Sequence, residues 1–260
     1  MISRPETRLA LLLALLTTLV CAATACKDGS SETSSHSLTV AAASDLTPAF
    51  EEIKREFEAS HTTKVVFVFG STGMLTRQIE HGAPMDLFAA ANVSYIDQLE
   101  QKGLIIPGTK MIYARGRITL WMPNDTNLRL EKITDLARPE VTRVAIANPD
   151  HAPYGLAARQ ALESAGVWES VKPKLVYGDN IRQTLQYAET GNVEVAIVAL
   201  SLSMQSHGRW SLIPEELHQP LDQGMAIMKS TKQEQAARAF ADFVSGPQGR
   251  AILQKYGFSF

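Results

Sequence analysis

Short apolar runs alternate with amphipathic stretches along the chain from Leu38 onward. The short β-prone runs predict buried strands, and apolar residues at helical spacing between them predict helices. Strands are predicted at 38–43, 65–69, 87–90, 117–122, 144–147, 174–177, 195–198 and 224–228, helices at 48–60, 73–81, 93–102, 156–166, 181–189 and 233–244, and a helical turn within 130–136. Strand and helix in alternation, with short connections, predict an α/β fold of mostly parallel sheets flanked by helices.

The strand–corner–helix unit occurs four times in roughly 220 residues, which favours two lobes over one large sheet. We predict that lobe I comprises residues 38–116 and 221–260, and that lobe II comprises residues 117–220. Ligands of such sheets bind beyond the carboxyl ends of the strands. The corners of both lobes are therefore expected to face one cleft.

Four of these corners carry groups suited to binding an anion. The start of a helix offers unpaired N–H groups and a partial positive charge. None of the four candidate positions is a lysine or an arginine, so the pattern favours capture of a small oxyanion by neutral donors. The alternative is that these residues only cap their helices. The candidates are Ser44, Ser71, Tyr154 and, through its main-chain N–H alone, Ile181.

The first 25 residues have the layout of a secretory signal peptide. Arg4 and Arg8 precede an apolar run at 9–25 that ends in small residues. Residues 26–37 are Ser-rich, as in a flexible tether. Cys26 follows the cleavage point as in a lipobox, with alanine in place of the usual leucine. We expect an exported protein, periplasmic or anchored by a lipid on Cys26, and the alternative is a plain secreted protein.

Composition and charge narrow the possible functions. The net charge is −2 and there is no basic block, which argues against nucleic acid as a partner. Cys21 and Cys26 lie inside and at the edge of the signal peptide, so the mature chain has no cysteine for disulfides or thiol catalysis. Paired histidine or cysteine spacing for a metal ion is absent. We expect neither a cofactor nor an enzymatic activity.

Five segments together carry a family resemblance: AAASDLTPAFEEI, FGSTGMLTRQIEHGAPMDLFAAA, NPDHAPYGLAARQAL, GDNIRQTL and KYGF. They resemble the periplasmic molybdate-binding proteins of ABC importers over 38–260, and the GAPxDLF stretch is the most specific part. The resemblance implies a two-lobed periplasmic-binding-protein-like fold that closes on molybdate or tungstate. It also implies a monomer that delivers the anion to an ABC permease in the cytoplasmic membrane.

The resemblance implies the same four residues as ligands of the oxyanion, in which the metal is only the central atom. Ser44 and Ser71 would contribute hydroxyls, and Ile181 its main-chain N–H. Tyr154 stands where some members have alanine. Many members have a tyrosine in place of Ala199, and we expect the phenol of Tyr154 to replace it.

Three alternatives stay open at this stage. The first is a carrier of another tetrahedral oxyanion such as sulfate, and the second is an α/β lipoprotein whose corners are only caps. The third is an exported serine hydrolase, which needs Gly-x-Ser-x-Gly and a histidine base. The segment around Ser71 lacks the first glycine of that motif, and His151 is the one histidine at a predicted corner. The sequence therefore disfavours the hydrolase.

Overall fold

A computed structural model describes residues 37–260 of the chain. The predicted signal peptide, Cys26 and the tether lie outside the described residues, apart from Ser37, which begins the first strand. The strands are β1 (Ser37–Ala43), β2 (Lys64–Gly70), β3 (Leu87–Ala90), β4 (Met111–Gly116), β5 (Ile118–Pro123), β6 (Val144–Ala147), β7 (Leu175–Gly178), β8 (Val195–Ala199), β9 (Gly208–Leu212) and β10 (Leu221–Ile227). The helices are α1 (Thr47–Ser60), α2 (Thr72–Glu80), α3 (Val93–Gln101), α4 (Pro153–Ser164), α5 (Trp168–Val171), α6 (Ile181–Glu189), α7 (Leu200–Ser203), α8 (Glu234–Ser245) and α9 (Pro247–Lys255).

The strands form two sheets of similar design. The first has the order β2-β1-β3-β10-β4 and the second the order β7-β6-β8-β5-β9. In each sheet four strands point the same way and one runs against them, β10 in the first and β5 in the second. The α/β class with mostly parallel sheets is therefore confirmed. The chain passes to the second sheet between Gly116 and Ile118 and returns between Leu212 and Leu221.

The parallel registers bring the corners together in pairs. Ala43 at the end of β1 lies opposite Gly70 at the end of β2, so the corners that follow these two strands are neighbours. In the second sheet Ala147 at the end of β6 lies opposite Gly178 at the end of β7. Each sheet therefore presents two adjacent strand–helix corners at one edge.

The sequence pattern did not predict strands β4 and β9, and it placed the start of α4 too late. Strand β9 is half exposed and lies at the edge of its sheet, so it lacks the apolar pattern of a central strand. Strand β4 is likewise an edge strand. Helix α4 starts at Pro153, three residues before the predicted Leu156, because proline is well suited to the first position of a helix. The predicted helical turn is present at Ile133–Ala137.

An aromatic cluster fixes α1 and α8 against the first sheet. Phe50 packs against Phe67 and Phe240 with ring centroids 5.6 and 6.1 Å apart, and Phe57 lies 5.3 Å from Phe240 in an edge-to-face arrangement. Burying each such side chain stabilises the fold by about 1.5–3 kcal/mol. Helix α1, which follows the Ser44 corner, is therefore packed against a buried aromatic cluster. Across residues 37–260, no helix has the length and apolarity needed to cross a membrane.

Candidate functional site

The two lobe I corners place Ser44 and Ser71 side by side and nearly buried, with 5% and 4% of their surface exposed. Neither side chain caps the helical turn that it opens. Within residues 37–260, the Ser44 hydroxyl has no hydrogen-bond partner in the protein. The capping alternative therefore does not explain these two serines.

The two lobe II corners present the starts of α4 and α6. Tyr154 is the second residue of α4 and Ile181 the first residue of α6, positions whose N–H groups have no partner inside a helix. The side chain of Asn180 caps α6 by accepting from the N–H groups of the second and third helical residues, both at 3.0 Å. This cap leaves the N–H of Ile181 available to a ligand.

All four predicted residues line one small cavity between the two sheets. Its lining contains no lysine, arginine or histidine from the described part of the chain. The cavity measures about 10 Å³, room for about one water molecule. A tetrahedral oxyanion is larger than this space, so the side chains that line the cavity must rearrange to admit it. The lining residues are Ala43, Ser44, Asp45, Gly70, Ser71, Thr72, Ala91, Ala152, Pro153, Tyr154 and Ile181.

A buried carboxyl group that the sequence analysis did not single out also lines this cavity. Asp45 is fully buried, and its Oδ2 accepts hydrogen bonds from the Tyr154 hydroxyl at 3.0 Å and from Gln223 Nε2 at 2.9 Å. Its Oδ1 is buried without a partner among residues 37–260. Burial raises the pKa of Asp45 to about 6. An anion in the cavity favours the neutral form of this carboxyl further, because like charges disfavour ionisation.

The phenol of Tyr154 was expected to bind the anion in place of the family tyrosine at Ala199, and in the structure it is hydrogen-bonded to other side chains. It donates to Asp45 and accepts from Gln223 Nε2 at 3.2 Å, and burial keeps its pKa well above the usual value. Ala199, the position of the family tyrosine, is fully buried and is not among the lining residues. The phenol is therefore engaged between the lobes, and the group that Tyr154 can offer an anion is its main-chain N–H.

The two lobes also touch beside the cavity, at His151. The Ser71 hydroxyl donates to the His151 carbonyl oxygen at 2.6 Å, and the Gly73 N–H donates to the same oxygen at 2.8 Å. His151 Nδ1 lies 2.8 Å from Ser71 Oγ. The hydroxyl has a single hydrogen, which can be shared between these two acceptors, and whether Nδ1 donates or accepts depends on the tautomer of His151.

Two other features of residues 37–260 bear on the chemistry of the site: metal-ligating groups and the charge of His151 beside the cavity. Residues 37–260 contain no group of three or more histidine, cysteine, aspartate or glutamate side chains that could hold a metal ion. Burial lowers the pKa of His151, which favours its neutral form. The polar groups that line the cavity are hydroxyls, main-chain N–H groups and a single carboxyl, that of Asp45.

Comparison with known proteins identifies relatives over nearly the whole described chain. The family model for bacterial extracellular solute-binding proteins matches residues 38–259. The molybdate-binding protein ModA of Rhodobacter capsulatus is 33% identical over 219 residues, 84% of this chain and 86% of that protein. ModA of Azotobacter vinelandii is 34% identical over 224 residues, 84% of this chain and 88% of that protein. The solved periplasmic molybdate-binding protein of Azotobacter vinelandii superposes with a TM-score of 0.81 at 27% identity, covering 86% of this chain and 99% of that one.

Proposed function

We propose that this chain, which belongs to the family of bacterial extracellular solute-binding proteins, captures molybdate outside the cytoplasm for an ABC importer. The observation that carries the proposal is the cavity on which all four corners converge, with two corners from each sheet. The relatives named as molybdate-binding proteins support the choice of anion.

The anion is held by hydrogen bonds from neutral donors. We assign the hydroxyls of Ser44 and Ser71 and the main-chain N–H groups of Tyr154 and Ile181 to its oxygens. Hydrogen bonds to an ionised acceptor are roughly twice as strong as neutral ones, and helix starts add a favourable dipole. Ser71 must turn its hydroxyl from the His151 carbonyl toward the anion.

Binding is coupled to closure because each lobe contributes only part of the donor shell. The open form presents Ser44 and Ser71 on one side and the starts of α4 and α6 on the other. The anion stabilises the closed form through contacts that the open form cannot make. An ABC permease that recognises the closed form would then receive loaded protein in preference to empty protein.

Selectivity follows from the same donor shell. Every group assigned to the anion donates, so a protonated oxygen on the ligand would point its own hydrogen at a donor. Tungstate has the same charge and shape as molybdate and is expected to bind as well. We further propose a carrier without catalytic activity, which agrees with relatives named as molybdate-binding proteins, and a monomer without a resident cofactor.

The predicted signal peptide and Cys26 fit this role. Cleavage before Cys26 and attachment of a lipid there would hold the carrier close to the permease. Expression of the full chain and of Cys26→Ala, followed by cell fractionation, tests this assignment. Membrane association of the native chain and its loss in the variant are expected. Equal release of both proteins would contradict lipidation.

Isothermal titration calorimetry with molybdate, tungstate, sulfate and phosphate tests the proposed function. Sub-micromolar binding of the first two is expected, with sulfate weaker by at least about a hundredfold, or about 2.7 kcal/mol. Tight sulfate or phosphate binding would reassign the anion. Absence of binding to any of the four would overturn the proposal.

A further inference from the structure

Gly73, the second residue of α2, touches the opposite lobe at His151. Its N–H donates to the His151 carbonyl oxygen at 2.8 Å. A Cβ atom at Gly73 would lie 2.8 Å from that oxygen and 3.0 Å from both the Cα and the Cβ of His151. Such distances are too short for a side chain of any kind. Two backbone segments from different lobes thus meet in direct contact.

The local backbone does not itself require glycine at this position. Gly73 is absent from the glycines of residues 37–260 that adopt positive φ. Glycine inside a helix is less favourable than alanine by about 1 kcal/mol. The close approach of lobe II is therefore what demands the missing side chain.

The N–H of Gly73 also depends on lobe II for its hydrogen bond. The N–H groups in the first turn of a helix have no partner within the helix. The His151 carbonyl supplies that partner only when the lobes are together, because His151 precedes α4 in lobe II. Opening the cleft returns this N–H to water.

We infer that Gly73 is a positioning residue that latches the two lobes over the bound anion through the main-chain carbonyl of His151. The inference rests on the proposed function, since it assumes that closure accompanies anion capture. Ser71 donates to the same carbonyl, and when its hydroxyl turns to the anion, the Gly73 N–H keeps that oxygen paired. The Ser71 hydroxyl can therefore bind the anion without leaving the His151 carbonyl oxygen unpaired.

A latch that exists only in the closed form acts on release rather than on capture. Its loss should speed dissociation of the anion and leave the association rate nearly unchanged, as is common for changes at an interface. Replacement of Gly73 by alanine should also leave the bound protein more expanded than wild type, since the added methyl group holds the two lobes apart at His151. A residue that merely stabilises α2 would produce neither effect.

The test compares Gly73→Ala with wild type, and uses Met74→Ala as the matched control because Met74 is the exposed neighbour in the same turn. We expect Gly73→Ala to weaken molybdate binding at least about tenfold, or about 1.4 kcal/mol. X-ray scattering should show a smaller contraction on binding than in wild type. Met74→Ala should match wild type in both. Equal affinity and equal contraction in Gly73→Ala would overturn the latch.

A second measurement on the wild-type protein does not depend on the folding of a variant. Amide hydrogen exchange at Gly73 should slow on saturation with molybdate, because its N–H becomes bonded to His151 only on closure. Unchanged exchange in protein shown to bind molybdate would overturn the latch and leave the proposed function intact. A wild-type protein that binds no molybdate would overturn both.

Discussion

The Tyr154 hydroxyl of lobe II donates a 3.0 Å hydrogen bond to the buried carboxyl of Asp45 in lobe I. Gln223 Nε2 donates to both residues, at 2.9 Å to Asp45 and 3.2 Å to Tyr154. Gly116 lies against the same hydroxyl, which would be 2.1 Å from a Cβ at that position. Gly116 ends β4, where the chain leaves the first sheet. The anion site is thus joined to a segment that connects the lobes.

Tyr154→Phe removes the hydroxyl and keeps the ring and the main-chain N–H. Asp45 then loses one of its two donors while staying buried. The free energy of unfolding should fall by about 1–3 kcal/mol, the cost of losing a hydrogen bond to a buried polar group. Urea unfolding of the anion-free protein measures this change. Equal stability of the variant and wild type would show that the bond contributes nothing to the folded state.

Asp45→Asn should stabilise the protein at neutral pH and leave it unchanged in acid. The folded pKa of about 6 exceeds the unfolded value of 3.8, so the native state resists ionisation. Below the unfolded pKa both states are protonated and the carboxyl costs nothing. As the pH rises through the window between these values the unfolded state ionises first, and on the order of 3 kcal/mol is lost.

Urea unfolding of wild type and Asp45→Asn at about pH 3, 6 and 8 measures this difference. The two proteins should agree at the lowest pH, and the variant should be the more stable at the highest. Parallel stability curves would show that Asp45 ionises normally in the folded protein.

Ser71→Ala tests a hydroxyl assigned to the anion. Molybdate binding should weaken by about 1–3 kcal/mol, because a charged acceptor loses one hydrogen bond. Ser94→Ala is the matched control, since Ser94 is exposed and does not line the cavity. Calorimetric titration of both variants decides the point. Unchanged affinity in Ser71→Ala would remove this hydroxyl from the site.

Asn180→Ala tests whether the start of α6 must be held in place. Loss of the cap should cost about 0.5–2 kcal/mol of stability, and molybdate affinity should fall because the N–H of Ile181 loses its fixed direction. Asn92 caps α3 in the same manner and does not line the cavity. Asn92→Ala should therefore cost similar stability with no change in affinity. Equal affinity in both variants would separate the α6 cap from binding.

The strand–helix corners were predictable because their signals are local. A short apolar run, a small polar residue and an amphipathic stretch lie within a few positions of one another at Ser44, Ser71 and Ile181. Edge strands such as β9 were missed because half-exposed strands lack a continuous apolar pattern. The alternation of apolar runs and amphipathic stretches was enough to predict where most strands and helices lie along the chain. It did not predict how the strands are paired in the sheets.

The contacts between lobes could not be read from the sequence. Asp45 and Gln223 are 178 positions apart, and Asp45 and Tyr154 are 109 apart. No periodicity in the sequence links residues so far apart. The sequence therefore carried no sign that the Tyr154 phenol binds Asp45, and we expected it to replace the family tyrosine at Ala199. An acidic residue directly after the corner serine was the available signal. A buried carboxyl beside an anion site becomes recognisable only once the lobes are assembled.

The central claim is that neutral donors from both lobes hold molybdate at the four corners. A crystal of the protein with molybdate, measured at the absorption edge of molybdenum, tests this directly. The account predicts one anomalous peak whose surrounding oxygens lie within hydrogen-bond reach of the Ser44 and Ser71 hydroxyls and the N–H groups of Tyr154 and Ile181. A peak elsewhere, or coordination by lysine or arginine side chains, would contradict it.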